Sequence, residues 1–153
     1  MEPEILNNPD QSDWIKKTVE IDASDDSVWT VITNTELIKE WANAFEPGTG
    51  VQSEWTEGAS VTWTDGSNTN VMKGRVIISY PGKMLKVGFY EDLNAADDAE
   101  LGEYEEHYLL AEHEGKTQLT IETGPLTDTY IEKLSPQWDS ALAIIKTLAE
   151  NKI

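Results

Sequence analysis

The residues best suited to chemistry are a glutamate between two tyrosines: Tyr104, Glu106 and Tyr108. Side chains two positions apart in a β-strand point to the same face of a sheet, so if Leu110 faces the interior, Glu106 does as well. A buried carboxylate is costly and its pKa rises unless hydrogen bonds support the charge, and the two tyrosine hydroxyls are the natural donors. The pattern predicts a polar anchor in an apolar pocket, able to orient a ligand with an amine or a hydroxyl group.

Two other placements of Glu106 fit the same pattern. The side chain could lie at the wet mouth of a cavity, or a β-bulge could reverse the parity of the strand and turn it outward. In either case Glu106 would be an ordinary solvated carboxylate. The substitution Glu106→Gln separates these alternatives, because only an anchor would alter ligand binding while folding is kept.

Six tryptophans form the second candidate feature. Trp41, Trp55 and Trp63 belong to segments expected to surround the opening of the fold, where rigid rings suit a pocket wall and a plain core equally well. Trp29 and Trp138 lie on apolar faces of predicted helices, and core packing is their simplest role. The face with Trp138 becomes one wall of a binding site if the sheet does not cover it fully. The predicted cavity lining is Trp41, Trp55, Trp63, Phe89, Tyr104, Glu106, Tyr108, Trp138, Leu142 and Ile145.

Other chemistries find little support in the sequence. Without cysteine, the chain forms no disulfide and no thiolate metal or redox centre. His107 and His113 have the parity opposite to Tyr108, so they are expected on the outer sheet face, and no three-ligand spacing accompanies them. The chain has no nucleophile elbow, phosphate-binding glycine loop or HExxH pattern. The sequence therefore predicts no metal and no cofactor, and it favours a non-enzymatic protein.

The elements that would position these residues follow from hydrophobic periodicity. Residues 15–21 alternate between apolar and polar side chains and are predicted to form the first strand. Ser24 is the predicted N-cap of a short helix, and Thr35 that of a second one. From residue 51 the period drops to two, which indicates six further strands separated by turns. Trp55 is assigned to the second strand of the chain.

The remaining elements complete an α+β pattern. In the fourth strand, alternation assigns Val76 and Ile78 to the same face. The segment from Ser135 to Lys152 carries an apolar stripe at helical spacing, with Ser135 as N-cap and Pro136 at the first helical position. The order is strand, two short helices, six strands and one long helix. It predicts a curved seven-stranded antiparallel sheet wrapped around the C-terminal helix.

Several segments match the motifs of a known superfamily. The first two are Ile21-Asp-Ala-Ser-Asp-Asp-Ser-Val-Trp29 and Leu37-Ile-Lys-Glu-Trp41. Tyr80-Pro-Gly-Lys-Met-Leu85 and Gln137-Trp138 follow in the same order. Together they resemble the START-like, or SRPBCC, helix-grip superfamily, and within it the homologues of the activator of heat-shock protein 90 ATPase. The resemblance implies a helix-grip fold with a cavity between the sheet and the long helix, which often holds apolar or amphipathic ligands.

Three functional expectations follow from the residues and the resemblance. The first is a non-enzymatic protein that binds a small apolar or amphipathic ligand in the cavity. The resemblance also implies a chaperone-associated stress-response protein, with a chaperone as partner. It further implies a cyclase- or hydratase-like enzyme of the same fold, in which Glu106 and the tyrosines would act as acid–base groups.

The composition of the chain limits its possible binding partners and its expected cellular location. The formal net charge of -18 argues against nucleic acid and anionic membranes, because both would repel the chain. No apolar run is long enough to insert across a membrane and no signal-peptide pattern is present, so a cytoplasmic location is expected. We expect residues 1–13 to form a flexible arm and residues 14–153 a single domain. No sequence feature sets an oligomeric state.

Overall fold

All seven predicted strands are present and join one antiparallel sheet. The computed structural model describes residues 13–96 and 98–151, so the arm predicted for residues 1–13 lies outside the described residues except for Asp13, as does Lys152. The strands are β1 (Ile15–Ile21), β2 (Gly50–Ser53), β3 (Ser60–Thr64), β4 (Asn70–Tyr80), β5 (Met84–Phe89), β6 (Glu105–His113) and β7 (Lys116–Gly124). Their order across the sheet is β1-β7-β6-β5-β4-β3-β2.

Three helices within the described residues complete the fold. α1 (Asp25–Thr33) and α2 (Thr35–Ala42) follow β1, and the long α3 (Asp128–Glu150) follows β7. The sheet curls around α3, which buries the predicted stripe against it. The buried residues of α3 are Trp138, Ala141, Leu142, Ile145 and Ala149. The α+β helix-grip architecture is therefore confirmed. None of the helices in the described ranges is long and apolar enough to cross a membrane.

The C-terminal helix begins earlier than predicted. Its N-cap is Thr127, whose side chain accepts a hydrogen bond from a first-turn backbone N–H, and Pro136 lies inside the helix. Ile131 and Leu134 pack against the core, and this burial stabilises the turns that precede the proline. The prediction of Ser135 as N-cap was wrong because Ser-Pro is a strong local signal for a helix start, whereas the stabilising contacts are non-local.

The second helix is capped by Asn34 and not by Thr35. The Asn34 side chain accepts a hydrogen bond from the backbone N–H of Leu37 at 3.0 Å, and Thr35 is the first helical residue. The prediction of Thr35 was wrong because asparagine and threonine are both good N-cap residues. The sequence therefore did not show which of these two neighbours caps the helix.

We expect Asn34→Ala to lower the free energy of unfolding by about 1 kcal/mol, because one amide at the start of α2 loses its acceptor. Thr35→Ala is the matched control and should change it by less than about 0.5 kcal/mol. Urea unfolding followed by tryptophan fluorescence measures both. Equal losses in the two variants would contradict the assignment of the cap.

Irregular backbone places two apolar residues differently from the prediction. β2 ends at Ser53, whose hydroxyl accepts a hydrogen bond from the Trp55 backbone N–H at 3.0 Å. Trp55 has a φ of 59° and lies outside the strand, so its assignment to β2 was wrong. In β4 the register shifts between Val76 and Ile78, and Ile78 lies opposite Lys86. This bulge turns Ile78 away from the face that holds Val76, contrary to the prediction.

Candidate functional site

Glu106 lies on the inner face of the sheet, as strand parity predicts. It shares that face of β6 with the buried Tyr108 and Leu110, and its exposed fraction is 5 %. The pairing of β6 with β5 and β7 runs without a register shift, so Glu106 keeps the parity of Leu110. Its direct neighbour on β7 is Thr123, which is 1 % exposed. The carboxylate is therefore held inside the fold by the same register that builds the core.

Hydrogen-bond donors surround this carboxylate. The hydroxyls of Tyr104 and Tyr108 donate to Oε2 and Oε1 of Glu106, each at 3.4 Å. The indole N–H of Trp63 also favours the charged form of this carboxylate. Behind them, the hydroxyl of Thr123 donates to the hydroxyl of Tyr104, which leaves the Tyr104 proton free to point at Glu106. The cluster is thus arranged around an acceptor.

Burial makes Glu106 the titrating group of the cluster. It raises the pKa of Glu106 to about 7, against the opposing effect of the hydrogen bonds from Tyr104, Tyr108 and Trp63. Burial, reinforced by the charge of Glu106, also holds the pKa of Tyr104 and of Tyr108 well above the usual tyrosine value. The tyrosines therefore stay neutral donors near neutral pH, whereas Glu106 exchanges a proton there.

An open cleft of about 650 Å³ connects this cluster to the surface. Its lining comes from the N-terminal half of α3, the loop after α2 and the adjoining ends of β3, β4, β5 and β6. Val71 and Tyr130, which are 48 % and 54 % exposed, also border it. The buried or half-buried apolar and aromatic side chains of the lining include Phe45, Trp63, Met72, Phe89, Leu134 and Trp138.

The predicted lining residues fall into three places. Those at the cleft are Trp63, Phe89, Tyr104, Glu106 and Trp138. Trp41, Trp55 and Tyr108 border a small internal void of about 10 Å³, which Glu106 and Trp63 also touch. Leu142 and Ile145 border neither of these two spaces and lie in the core, 5 % and 0 % exposed. The apolar stripe of the C-terminal half of α3 is buried against other side chains, whereas the N-terminal half forms a wall of the cleft.

Aromatic contacts fix the shape of the cleft floor. The ring of Trp138 lies 4.8 Å from that of Phe45 and 6.3 Å from that of Trp41, measured between centroids. Phe45 also meets Trp63 edge-on at 6.0 Å, and Tyr108 lies 6.2 Å from Trp138. Large rings in mutual contact keep few rotamers, so this surface is already ordered before any ligand arrives.

Sequence reasoning missed part of the lining. Tyr130, Lys133 and Leu134 lie in the first turns of α3, which were not recognised as helix. A signal was present, because Leu134 continues the stripe of Trp138 at the four-residue spacing of a helix face. The part played by Thr123 depends on the register between β6 and β7, which no local pattern reveals.

His107 lies on the outer face of the sheet, as its parity predicts. Its Nε2 is 2.7 Å from Oε1 of Glu105, and its Nδ1 is 3.1 Å from Oε1 of Glu122. The ring of Trp14 packs on it, with 5.4 Å between centroids. Within residues 13–96 and 98–151, no group of three or more His, Cys, Asp or Glu side chains is placed to hold a metal ion. His107 thus ties β6 to β7 on the face opposite to the cleft.

The curled sheet, the long helix and the inward-facing cluster define a helix-grip protein. The sequence profile of the family described as Activator of Hsp90 ATPase homolog 1-like protein matches residues 22–150. The chain belongs to this family, which confirms the resemblance seen in its motifs. A comparison with curated proteins found no match.

Solved structures share the fold at low sequence identity. CalU16 from Micromonospora echinospora is 17 % identical, with a TM-score of 0.66 over 89 % of this chain and 75 % of CalU16. The Aha1 dimer from Colwellia psychrerythraea is 15 % identical, with a TM-score of 0.69 over 90 % of this chain and 96 % of that one. DynU16, a protein in the dynemicin biosynthetic locus, is 17 % identical, with a TM-score of 0.69 over 90 % of this chain and 47 % of DynU16. At these identities the likeness shows the fold alone.

Proposed function

We propose that the protein binds a small apolar or amphipathic molecule in the cleft beside α3, without transforming it. The observation that supports this most is the cleft of about 650 Å³, lined mainly by apolar and aromatic side chains, with the carboxylate of Glu106 in its wall. Small-molecule sites have volumes in this range and are typically apolar with a few convergent polar groups. The helix-grip fold of the family is consistent with such a role.

Burial of ligand surface would supply most of the binding free energy. Each 100 Å² of apolar surface removed from water contributes about 2.5 kcal/mol before the cost of association. The rings of Trp63, Phe45 and Trp138 are held by one another, so little side-chain freedom remains to be lost. Glu106 would then fix the orientation of a ligand that carries a hydrogen-bond donor.

A thermal-shift screen tests the proposal, because a ligand that binds only the folded state raises the melting temperature by mass action. The panel should contain long-chain alcohols, amines and fatty acids together with polycyclic aromatic compounds such as aromatic polyketides. A saturable rise with at least one compound class would support the proposal. No shift across the panel, together with no binding of an apolar fluorescent dye, would contradict it.

Two exposed tyrosines provide a test of whether the ligand binds in the cleft. Tyr130 lies at the cleft, and Tyr80, 63 % exposed, is the last residue of β4 and is not part of the lining. We expect Tyr130→Ser to weaken the best compound of the screen by about three- to tenfold, because roughly 50 Å² of apolar contact is lost. Tyr80→Ser should leave the affinity unchanged in the same isothermal titration. Equal losses would show that the ligand does not occupy this cleft.

The family supports a second candidate, association with a chaperone in a cytoplasmic stress response. The family description refers to activation of the Hsp90 ATPase, and the Aha1 dimer shares the fold. Retention of purified heat-shock protein 90 by the immobilised protein would favour this role. Failure of the two proteins to associate at micromolar concentration would count against it.

The titration of Glu106 supports a third candidate, acid–base catalysis of a cyclase- or hydratase-like reaction. A carboxyl group with a pKa of about 7 can both give and accept a proton near neutral pH. If a turnover is found, its pH–rate profile should lose the limb that Glu106 supplies in the variant Glu106→Gln. An unchanged profile in that variant would contradict this role.

A further inference from the structure

We infer that the cleft selects cationic amphiphiles, molecules with an apolar tail and one ammonium group that pairs with the carboxylate of Glu106. The inference rests on the proposed binding function and names the chemistry of its ligand. A hydroxyl or a carboxylate head group is the alternative for a tail of the same size.

Glu106 receives weaker hydrogen bonds than a buried carboxylate normally does. The two tyrosine hydroxyls approach its oxygens only to 3.4 Å, at the outer limit of a hydrogen bond. Hydroxyl–carboxylate bonds are usually about 2.6 Å long. A buried charge with incomplete compensation is unfavourable, and a cation that comes closer than the tyrosines would relieve it. The carboxylate is thus the group of the cleft that gains most from a strong donor.

The neighbours of Glu106 favour an acceptor at this position. The oxygen of Tyr104 already accepts the proton of Thr123, so Tyr104 offers its own proton to Glu106. The indole of Trp63 can only donate. The hydroxyls of Tyr104 and Tyr108 therefore converge on the carboxylate as donors, and the indole of Trp63 adds to the support of its charged form. An ammonium group, which carries only donors, completes this arrangement, whereas a second acceptor would compete with it.

Charges along the cleft also favour a cation. Glu46 and Asp65 line the cleft together with Glu106, and Lys133 is the only basic residue of its described lining. The chain as a whole carries a formal net charge of -18. A cation is therefore attracted during its approach, whereas a carboxylate head group at Glu106 would meet a like charge. Aromatic rings are frequent in the lining, and their faces are favourable sites for an ammonium group.

The preference should depend on pH through Glu106. Burial raises the pKa of Glu106 to about 7, and an ammonium group prefers the ionised form. The affinity for an amine should therefore increase with pH, and at pH 5.5 it should be about 30-fold below its limit at high pH if only the ionised form binds. Binding would release a proton from Glu106 below pH 7. The other ionisable groups that face Glu106 or line the cleft are Glu46, Asp65, Tyr90, Tyr104, Tyr108, Tyr130 and Lys133.

A series of three probes with the same ten-carbon tail tests the inference: decylamine, decanol and decanoate, each kept below its aggregation concentration. Isothermal titration at pH 8 and pH 5.5 gives the affinities for the wild-type protein, for Glu106→Gln and for Glu40→Gln. Glu40 is an exposed glutamate of α2, so its variant is the matched control for loss of one negative charge. The wild-type protein and Glu40→Gln should bind decylamine at least tenfold more tightly than decanol at pH 8, with decanoate weakest.

The variant Glu106→Gln should lose the preference for decylamine at pH 8, and its affinity for decylamine should be the same at pH 8 and pH 5.5. Equal binding of decylamine and decanol by the wild-type protein would overturn the inference and leave the proposed function standing. Tightest binding of decanoate would also overturn it, and would point to Lys133 as the selecting group. No binding of any probe, with no shift in the wider thermal screen, would overturn the inference and the proposed function together.

Discussion

Glu106→Gln is expected to raise the free energy of unfolding at pH 8 by up to about 3 kcal/mol, and by less than about 1 kcal/mol at pH 5. A substitution inside the fold usually destabilises a protein. Here the glutamine has nearly the same shape and never ionises, so it removes the cost of a buried charge.

The direction of this pH dependence follows from the number of protons bound by the folded and the unfolded protein. Burial gives Glu106 a pKa of about 7 in the folded protein, against 4.5 for a free glutamate. Between these values the folded state keeps a proton that the unfolded state has lost, so stability falls as the pH rises. The contribution of the protonated Glu106 to stability is fully present below pH 4.5 and is lost as the pH rises through 7. Glutamine is insensitive to this change, so the variant gains relative to the wild type as the pH increases.

Urea unfolding between pH 5 and pH 8, followed by tryptophan fluorescence, measures the difference between the variant and the wild type. The chain has 29 acidic residues, so general charge repulsion also destabilises both proteins at higher pH. That effect cancels in the difference. Glu40→Gln, on the exposed side of α2, should show no such pH-dependent gain. A difference between wild type and Glu106→Gln that stays constant over this pH range would show that Glu106 is not the group with the raised pKa.

The same variant should respond in opposite directions in two assays. It should be more stable at pH 8 and should lose its preference for decylamine over decanol. Groups that lower stability persist in proteins where function requires them, and a buried carboxylate with long hydrogen bonds is such a group. A variant that lost stability and kept its selectivity would instead indicate that Glu106 supports the fold.

Strand parity predicted Glu106 on the inner face, and this prediction is correct because one buried face determines the direction of every side chain in a strand without a bulge. β6 is regular, and Tyr108 and Leu110 lie on the inner face with Glu106. The same reasoning failed for Ile78, since the bulge after Val76 has no clear signature in the sequence. It also failed for Trp55, where a turn closed by a serine hydroxyl ends the strand.

The cleft could not be predicted from local patterns. Trp138 and Ile145 belong to one apolar stripe of α3, yet Trp138 borders the cleft and Ile145 is fully buried in the core. The difference arises from how far the curled sheet reaches along the helix, and that curvature is the sum of small twists over seven strands. Tyr130 and Leu134 were not predicted as lining residues for a similar reason. They lie in the first turns of α3, and the contacts that stabilise these turns are distant in sequence.

Gly74→Ala is expected to lower the free energy of unfolding by about 3 kcal/mol. Gly74 lies in β4 opposite Phe89 of β5. A Cβ atom at this position would overlap the backbone carbonyl oxygen of Gly88 and would lie 2.9 Å from Cδ2 of Phe89. The carbonyl belongs to the neighbouring strand and cannot move without disturbing the sheet. The close approach of the two backbones therefore requires glycine.

Gly50 of β2 provides the matched control. A Cβ atom there would lie 3.6 Å from Oγ1 of Thr64 and 3.7 Å from Cγ of Lys39, which are ordinary contacts. Gly50→Ala should change the free energy of unfolding by less than about 1 kcal/mol, with a gain where alanine restricts the unfolded chain. Urea unfolding measures both variants. Similar stabilities for Gly50→Ala and Gly74→Ala would contradict the close approach of β4 and β5.

The glycine substitution also reports on the link between the sheet and the cleft. Phe89 lines the cleft, and its ring lies 5.5 Å from that of Tyr104, which donates to Glu106. An alanine that displaces Phe89 should therefore weaken the binding of decanol and decylamine to the folded variant, whereas Gly50→Ala should bind both as the wild type does. Lower stability of Gly74→Ala with unchanged affinity for both probes would confine the strain to the β4–β5 pair and would separate the requirement for glycine from the ligand site.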